Sequence, residues 1–415
     1  MRLSPYFVAG LLLISFACSL NHITPPPPNG DTNLINTVPV SSATMKNMEA
    51  IYSLSDGNVN LGTAFVCKIS KYKISFFSNE SGIYILLKYG LNLSDSSLQF
   101  SGFWRYSESA TQGDISFSVA KNEGAADLLK TGSAATINMK GSFKDKNGTP
   151  LSLSIKFNRP FSPYTKDNPF IVLAHHGVQT TVGPAYAENS VGSVLHDEEY
   201  GCNGIEFDVR LTKDNVPICL HDNAINIRLT EKGPLSGEPS QYPFALLEKY
   251  IRLVDGQKIP SVEQVLNAFI DSTSMKYIWL DVKGDPDIFK YMEPVMRAGY
   301  ARAQAQNRDV VFFTGLPSGQ VIDELHKQPS YYTLPLLCEL EVQDVINNNC
   351  QFWGPRYSRG LMLDDVNQMH QRGVRVISWT LNDKGIIKNY LTNGKFDGFI
   401  TDYPAYVVYD FYTMF

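Results

Sequence analysis

Three features that would each have set its class are missing from this 415-residue chain. The first is a basic excess: 36 Lys and Arg face 41 Asp and Glu, a formal net charge of −5. A protein that neutralises a phosphate backbone concentrates Lys and Arg, so no nucleic-acid partner is expected. The second is cysteine pairing. Apart from Cys18, which ends an apolar N-terminal run, there are Cys67, Cys202, Cys219, Cys338 and Cys350, an odd set without C-x-x-C spacing. That is neither a disulfide framework nor a zinc site; each thiol sits in an apolar stretch where it can serve as a small core residue, and a single disulfide stays open. The third is a membrane-length apolar segment, since nothing after the N-terminus reaches the ~18 uninterrupted apolar residues of a spanning helix. What is present is ordinary: 43% hydrophobic and 19% charged residues describe a globular chain rather than a disordered one. At ~150 residues per domain the length suits two or three domains.

The N-terminus has a processing pattern. Arg2 supplies a basic start and Tyr6 to Ala17 an almost uncharged h-region, too short to cross a bilayer, so residues 1–18 read as a secretory signal. Ile14-Ser15-Phe16-Ala17-Cys18 resembles a loose bacterial lipobox, with Cys18 as the lipidated first residue of the mature chain; an ordinary cleaved signal is the alternative. Residues 19–44 include Pro25-Pro26-Pro27-Pro28-Asn29-Gly30 and read as an extended tether. The expectation is an exported protein of the cell envelope, touching the membrane through a lipid anchor on Cys18.

Residues 45–160 alternate with period two, as in Tyr72, Ile74 and Phe76 or Leu151, Leu153, Ile155 and Phe157, which predicts a small all-β domain, a sandwich or an open barrel. Asn147-Gly148 predicts a tight type I′ hairpin turn. Phe103, Trp104 and Tyr106 are either strand packing or a sugar platform, and packing is the commoner use. From residue 161 to the C-terminus short β-branched runs alternate with helical stretches. That grammar predicts α/β architecture, a (β/α)8 TIM barrel. Nine strand candidates compete for eight places, and Val216 to His221 follows its predecessor too closely for a parallel crossover, so it should form a hairpin. Ser261 to Gln264 fits a helix capping box.

Ionisable residues gather where these strands end: His175 and His176 on the first, Glu206 and Asp208 on the second, His221 and Asp222 after the hairpin strand, Asp281 and Lys283 on the next. In a barrel those ends share one mouth, where active sites of this architecture are built. Glu206 and Asp208 are two apart and point to one side, as do Asp281 and Lys283. Carboxylates converging there repel one another unless a cation is present, and hard oxygen ligands suit Mg²⁺ or Ca²⁺. The nearby His residues offer an acid and a base. His22, His196, His326 and His370 have no acidic strand beside them and read as surface residues.

The ordered set Ala174-His175-His176-Gly177, Ala187-Glu188-Asn189-Ser190, Gly204-Ile205-Glu206-Phe207-Asp208-Val209-Arg210-Leu211-Thr212-Lys213-Asp214 and His221-Asp222 resembles the signature of the glycerophosphodiester phosphodiesterase family. Ile259-Pro260-Ser261-Val262-Glu263, Asp281-Val282-Lys283, Trp379-Thr380-Leu381-Asn382 and Asp397-Gly398-Phe399-Ile400-Thr401-Asp402-Tyr403-Pro404 extend the resemblance from Phe170 to the C-terminus, leaving the β-domain outside it.

The resemblance implies metal-dependent hydrolysis of glycerophosphodiesters to glycerol-3-phosphate and an alcohol. It implies that His175 and His221 are the catalytic pair, that Glu206, Asp208 and Asp281 hold one divalent cation, Mg²⁺ or Ca²⁺, and that Lys283 contacts the phosphate. His176 stands where the family usually has a phosphate-gripping Arg, and Asp281 where it usually has Glu. Both changes bear on substrate or metal preference, since imidazole lacks the bidentate guanidinium fork. Glu188 would brace the mouth, Trp379 would line the glycerol or alcohol side, and an insertion at about 223–260 would help to cover the substrate. Two rival functions are phospholipase C-like or D-like cleavage of an intact phospholipid or phosphoinositide, and a catalytically weak envelope binding protein.

Overall fold

The computed structural model describes residues 34–415 except 58, 110, 146 and 179–185. The signal segment, Cys18 and the Pro25–Pro28 run lie outside the described residues. The expected tether ends earlier than residue 44. Thr37–Val38 pairs antiparallel with Asn92 and Leu91, and Ser41 caps a helix at Ser42–Lys46 by accepting from the Thr44 amide.

The N-terminal domain is a closed antiparallel barrel, neither a sandwich nor open. Its strands run Ala50–Gly57, Ala64–Ile69, Ile74–Ser78, Ile83–Asn92, Ser97–Tyr106, Gln112–Val119, Asn138–Lys144 and Pro150–Pro160. The first pairs with the last, and Ile83–Asn92 pairs with Ser97–Tyr106 to complete the ring. Closure removes both exposed sheet edges, a route open to a chain with this many short alternating strands. The Lys144–Pro150 hairpin exists, but its loop is longer than a two-residue turn: Asp145 Oδ1 accepts from the Asn147 and Thr149 amides, and Gly148 has φ +81°. Trp104 is core, its Nε1 donating to Lys144 O at 2.9 Å.

The second domain is the expected parallel barrel. Barrel strands 1 to 8 are Ile171–His175, Gly204–Leu211, Tyr277–Val282, Val311–Leu316, Leu336–Cys338, Phe352–Trp353, Arg375–Ser378 and Gly398–Thr401, and strand 8 pairs with strand 1. Pro217–Cys219 pairs antiparallel with strand 2 as the extra hairpin. A helix follows each strand, and the one after strand 2, Val262–Ser272, opens on the predicted Ser261/Gln264 capping box. Inside the barrel, Leu173, Trp279, Phe313, Leu337, Phe352, Ile377 and Ile400 form one cluster; alternate residues face the helices. The insertion has a small core of its own, with Ile225, Leu229, Leu247, Ile251 and Leu253 against Ile218 and Leu220. All five described cysteines are buried. No helix among the described residues is long and apolar enough to cross a membrane.

The two barrels share an apolar seam. Ile51, Val66, Phe77, Tyr84 and Leu86 from the first pack with Tyr200, Cys202 and Val408 from the second. Polar contacts frame it: Lys73 Nζ meets Glu199 Oε2 at 2.7 Å, Ser75 Oγ donates to Glu199 O, and Asn79 Nδ2 donates to Asp410 Oδ1 at 2.9 Å. Phe77 is fully buried beside Gly201, so Phe77→Ala should empty the seam and lower the unfolding free energy by about 3 kcal/mol in a urea titration. A loss below about 1 kcal/mol would show that the seam adds little to stability.

Candidate active site

Strand parity puts the chemistry at the mouth. Leu173 faces the barrel interior, so His175, two residues on, reaches the rim; Trp279 is followed in the same way by Asp281, Phe313 by Gly315, Leu337 by Glu339, Ile377 by Trp379 and Ile400 by Asp402. Glu206 and Asp208 share the inward side of strand 2, and His221 follows the hairpin strand.

Carboxylate oxygens of Glu206, Asp208 and Asp281 lie within 4.8 Å of one another. The cluster is nearly dry: Asp208 is fully buried and Glu206 only 4% exposed. Positive groups from the chain balance it. Lys283 Nζ sits 2.6 Å from Asp208 Oδ1 and 2.5 Å from Asp281 Oδ2, and His176 Nδ1 sits 2.8 Å from Asp208 Oδ2 and 3.2 Å from Glu206 Oε2. Asn189, also buried, donates through Nδ2 to Asp208 Oδ2 and accepts from the Asp208 amide.

The electrostatic outcome differs from acid to acid. Burial alone would raise the Asp208 carboxyl, but His176 and Lys283 override it and hold it far below the usual carboxylate range. At Asp281 burial prevails over Lys283, and with Glu206 and Asp208 nearby the carboxyl is pushed up to about 6. Burial opposes charge on His176 and Lys283 too, yet the surrounding carboxylates raise both above their ordinary values. Glu339, immediately after strand 5, joins the same wall: burial and Asp281 push its carboxyl well up. Asp281 Oδ1, Glu339 Oε1 and Trp279 Nε1 are buried without a hydrogen-bond partner among the described residues. All three face the space above Gly315, where an added Cβ would lie 3.2, 3.2 and 2.6 Å from them respectively. Hard oxygen donors, dense negative charge and an unsatisfied carboxylate oxygen fit a divalent cation held by Glu206, Asp208 and Asp281.

Each candidate catalytic His is oriented through Nδ1 by a carboxylate. His175 meets Asp402 Oδ1 at 2.8 Å, and Asp402 is fixed in turn by Asn382, whose Nδ2 donates to Oδ2 and whose Oδ1 accepts from the Asp402 amide. His221 meets Asp222 Oδ1 at 2.7 Å. Arg228, from the insertion, then grips Asp222 through Nε and Nη2 and Glu188 through Nη1 and Nη2. That pairing with Arg228 holds the Asp222 carboxyl well below its usual range. Both imidazoles lie close to His176, whose ring centroid is 3.6 Å from that of His175 and 5.2 Å from that of His221.

Thus His175, Glu206, Asp208, His221, Asp281 and Lys283 converge as expected. His176, expected against the phosphate, has its Nδ1 among the acids; a left-handed backbone (φ +55°) also lets its amide donate to Glu206 Oε2. Trp379 lines the rim, with Nε1 donating to Gly354 O at 2.6 Å. His196, expected on the surface, is half-buried beside Glu199, whereas His370 is exposed as expected and pairs there with Asp397. Sequence reasoning passed over Asn189, Arg228, Glu339, Asn382 and Asp402 as site residues. Glu339 and Asp402 could have been found from parity, each lying two residues beyond an inward apolar position.

Residues 175–277 match the glycerophosphoryl diester phosphodiesterase family. A glycerophosphodiester phosphodiesterase of Bacillus altitudinis is 24% identical over 250 residues, which span 56% of this chain and 94% of that protein. These matches support this family for the barrel. Its members are phosphoric diester hydrolases. Among solved structures, a glycerophosphodiester phosphodiesterase from Parabacteroides distasonis is 21% identical, covering 59% of this chain and 97% of that one at a TM-score of 0.47. A phosphodiesterase from Oleispira antarctica, in complex with the product sn-glycerol-3-phosphate, is 18% identical, covering 58% and 96% at a TM-score of 0.45. The family match holds His175, Glu206, Asp208 and His221 and ends at the start of barrel strand 3, so Asp281, Lys283 and Trp379 rest on geometry.

Gly315 tests the cluster. A methyl group there must displace Trp279, Asp281 or Glu339, so Gly315→Ala should weaken Mg²⁺ or Ca²⁺ binding about tenfold in calorimetric titration while leaving the fold intact by circular dichroism. Unchanged affinity would show that Asp281 does not contribute to the cation site.

Proposed function

We propose that the protein hydrolyses glycerophosphodiesters to glycerol-3-phosphate and an alcohol, with one divalent cation, Mg²⁺ or Ca²⁺, at Glu206, Asp208 and Asp281 and with His175 and His221 as the acid/base pair. One observation carries the reading: two imidazoles, each oriented through Nδ1 by its own carboxylate, flank a buried cluster of acids. With Nδ1 engaged, each ring presents Nε2 for proton transfer, which is the tautomer a general acid or base needs. When bound, the cation supplies charge neutralisation and polarisation of the phosphoryl oxygens.

The diester anion repels nucleophiles, so positive charge must meet it before attack. Lys283, drawn to the rim by Asp208 and Asp281, supplies an ammonium at that place. The attacking hydroxyl, either that of water or the glycerol 2-hydroxyl, whose attack leaves a cyclic phosphate that a water molecule then opens to glycerol-3-phosphate, gives its proton to one imidazole as its oxygen bonds to phosphorus. The phosphorus–oxygen bond to the alcohol breaks, and the other imidazole protonates the departing oxygen. Each transfer contributes about 10²–10⁴-fold. Asp402 and Asp222 stabilise whichever ring is protonated and fix its angle. The same reading makes the enzyme an exported one tethered at the envelope through Cys18, a proposal supported by the pattern of residues 1–18.

Release of glycerol-3-phosphate from a panel of glycerophosphodiesters should stop with chelator and return with Mg²⁺ or Ca²⁺; silence across the panel would refute the reading. His175→Ala and His221→Ala should each cut turnover by at least about 10²-fold at nearly unchanged thermal midpoint. Asp402→Asn, which keeps the shape but presents the wrong hydrogen-bonding partner to His175, should cost about 10²-fold in kcat with little change in KM. Full activity in any of these variants would remove that residue from the mechanism.

A further inference from the structure

The rim of the mouth carries a cation that the reaction above leaves unused. On barrel strand 6, Phe352 faces the barrel interior, and a Cβ at Gly354 would strike Leu337 and the Trp279 ring, so Gly354 faces inward too. Arg356 is the next residue of that row and therefore stands on the inner rim. It meets Trp379 there: the two form a parallel backbone bridge, and the guanidinium carbon lies 4.4 Å from the indole centroid. The indole is itself fixed, by the Nε1 bond to Gly354 O and by the Tyr357 amide donating to Trp379 O at 2.9 Å.

Charge sets Arg356 apart. Lys283 is held by Asp208 and Asp281, Arg228 by Asp222 and Glu188, and Arg210 donates to His221 O. No carboxylate pairs with Arg356 among the described residues; its guanidinium is exposed, stacked on an aromatic face and otherwise open. Stacking leaves the in-plane N–H groups free, and this fork matches a carboxylate or phosphate. Strand 6 stands four places round the eight-stranded ring from strand 2, so Arg356 lies across the mouth from Glu206 and Asp208. A diester with its phosphate at the acid cluster would extend its far end towards Arg356 and Trp379.

Building on the proposed diesterase reading, we propose that Arg356, laid on Trp379, is a specificity residue selecting diesters whose alcohol portion carries an anionic oxygen group, a carboxylate or a second phosphate. A bare tryptophan face would favour a quaternary ammonium such as choline. Here a guanidinium already occupies a face of that ring, and a second cation about 5 Å away at intermediate screening is disfavoured about tenfold or more. The site thus rejects one class of head group by the same charge that attracts another.

The test measures kcat/KM of the full chain on four substrates with a common glycerophosphate half: glycerophosphocholine, the neutral glycerophosphoglycerol, glycerophosphoserine with its carboxylate, and bis(glycerophospho)glycerol with its second phosphate. At least one anionic substrate should exceed glycerophosphocholine about tenfold or more, and the better of the two identifies the group that Arg356 takes. Arg356→Gln should bring the ratio to about one, by lowering the anionic substrate and raising the choline diester, with an unmoved thermal midpoint; Arg356→Lys should retain part of the preference. Raising salt should erode the wild-type ratio. A wild-type preference for choline, or a ratio that Arg356→Gln leaves unchanged, overturns the inference while leaving the diesterase reading intact. No turnover of any of the four overturns both.

Discussion

Carboxylates gathered at one end of a barrel and cut off from water repel one another, and the architecture of this mouth answers that repulsion. Asp208 is the most constrained of them, fully buried yet ionised, because His176, Lys283 and Asn189 all turn towards it. Those contacts explain local features that would otherwise look arbitrary. The chain takes a left-handed turn at His176, Asn189 is itself left-handed at φ +58°, and the adjacent Ser190 starts a helix by capping it. Charge that must be neutralised in a dry place is also the charge that the proposed reaction would set against a metal and a phosphate, so one requirement would serve both the fold and the chemistry.

Much of this was legible because barrel geometry converts sequence parity into position. Glu206 and Asp208, or Asp281 and Lys283, can be assigned to the mouth once their strands are recognised, since i and i+2 share a side and strand ends share a rim. The one strand too many betrayed itself by its short connection, and the structure makes it the antiparallel partner of strand 2. What stayed hidden depends on distance in the chain. Arg228 is unremarkable inside a charged insertion until folding brings it to Glu188, 40 residues earlier, and to Asp222. Asp402 is 227 residues from His175, and nothing local to either announces the pair. The closure of the N-terminal barrel was illegible for the same reason: alternation shows that strands exist, whereas the pairing of Ala50–Gly57 with Pro150–Pro160 is a property of the assembled ring.

The insertion and the barrel divide the work around His221. Its own hydrophobic cluster lets the insertion hold a shape, and Arg228 links that shape to the His221–Asp222 pair. His175, by contrast, depends on Asp402 and Asn382, which follow the last two barrel strands. The two imidazoles are therefore oriented by parts of the chain with different neighbours, so a disturbance of one need not reach the other.

The terminal helix Pro404–Met414 begins two residues after Asp402. Chain ends are where proteins commonly fray. Here the N-terminal barrel clasps that helix: Asn79 holds Asp410, Glu108 accepts from Tyr406, Lys68 donates to Tyr412, and Arg159 reaches the carbonyls of Tyr412 and Thr413. Unwinding from the C-terminus would travel a short way before freeing the carboxylate that aims His175. The accessory domain, none of whose described residues joins the mouth cluster, thereby acts as a splint for one of the two proposed catalytic imidazoles.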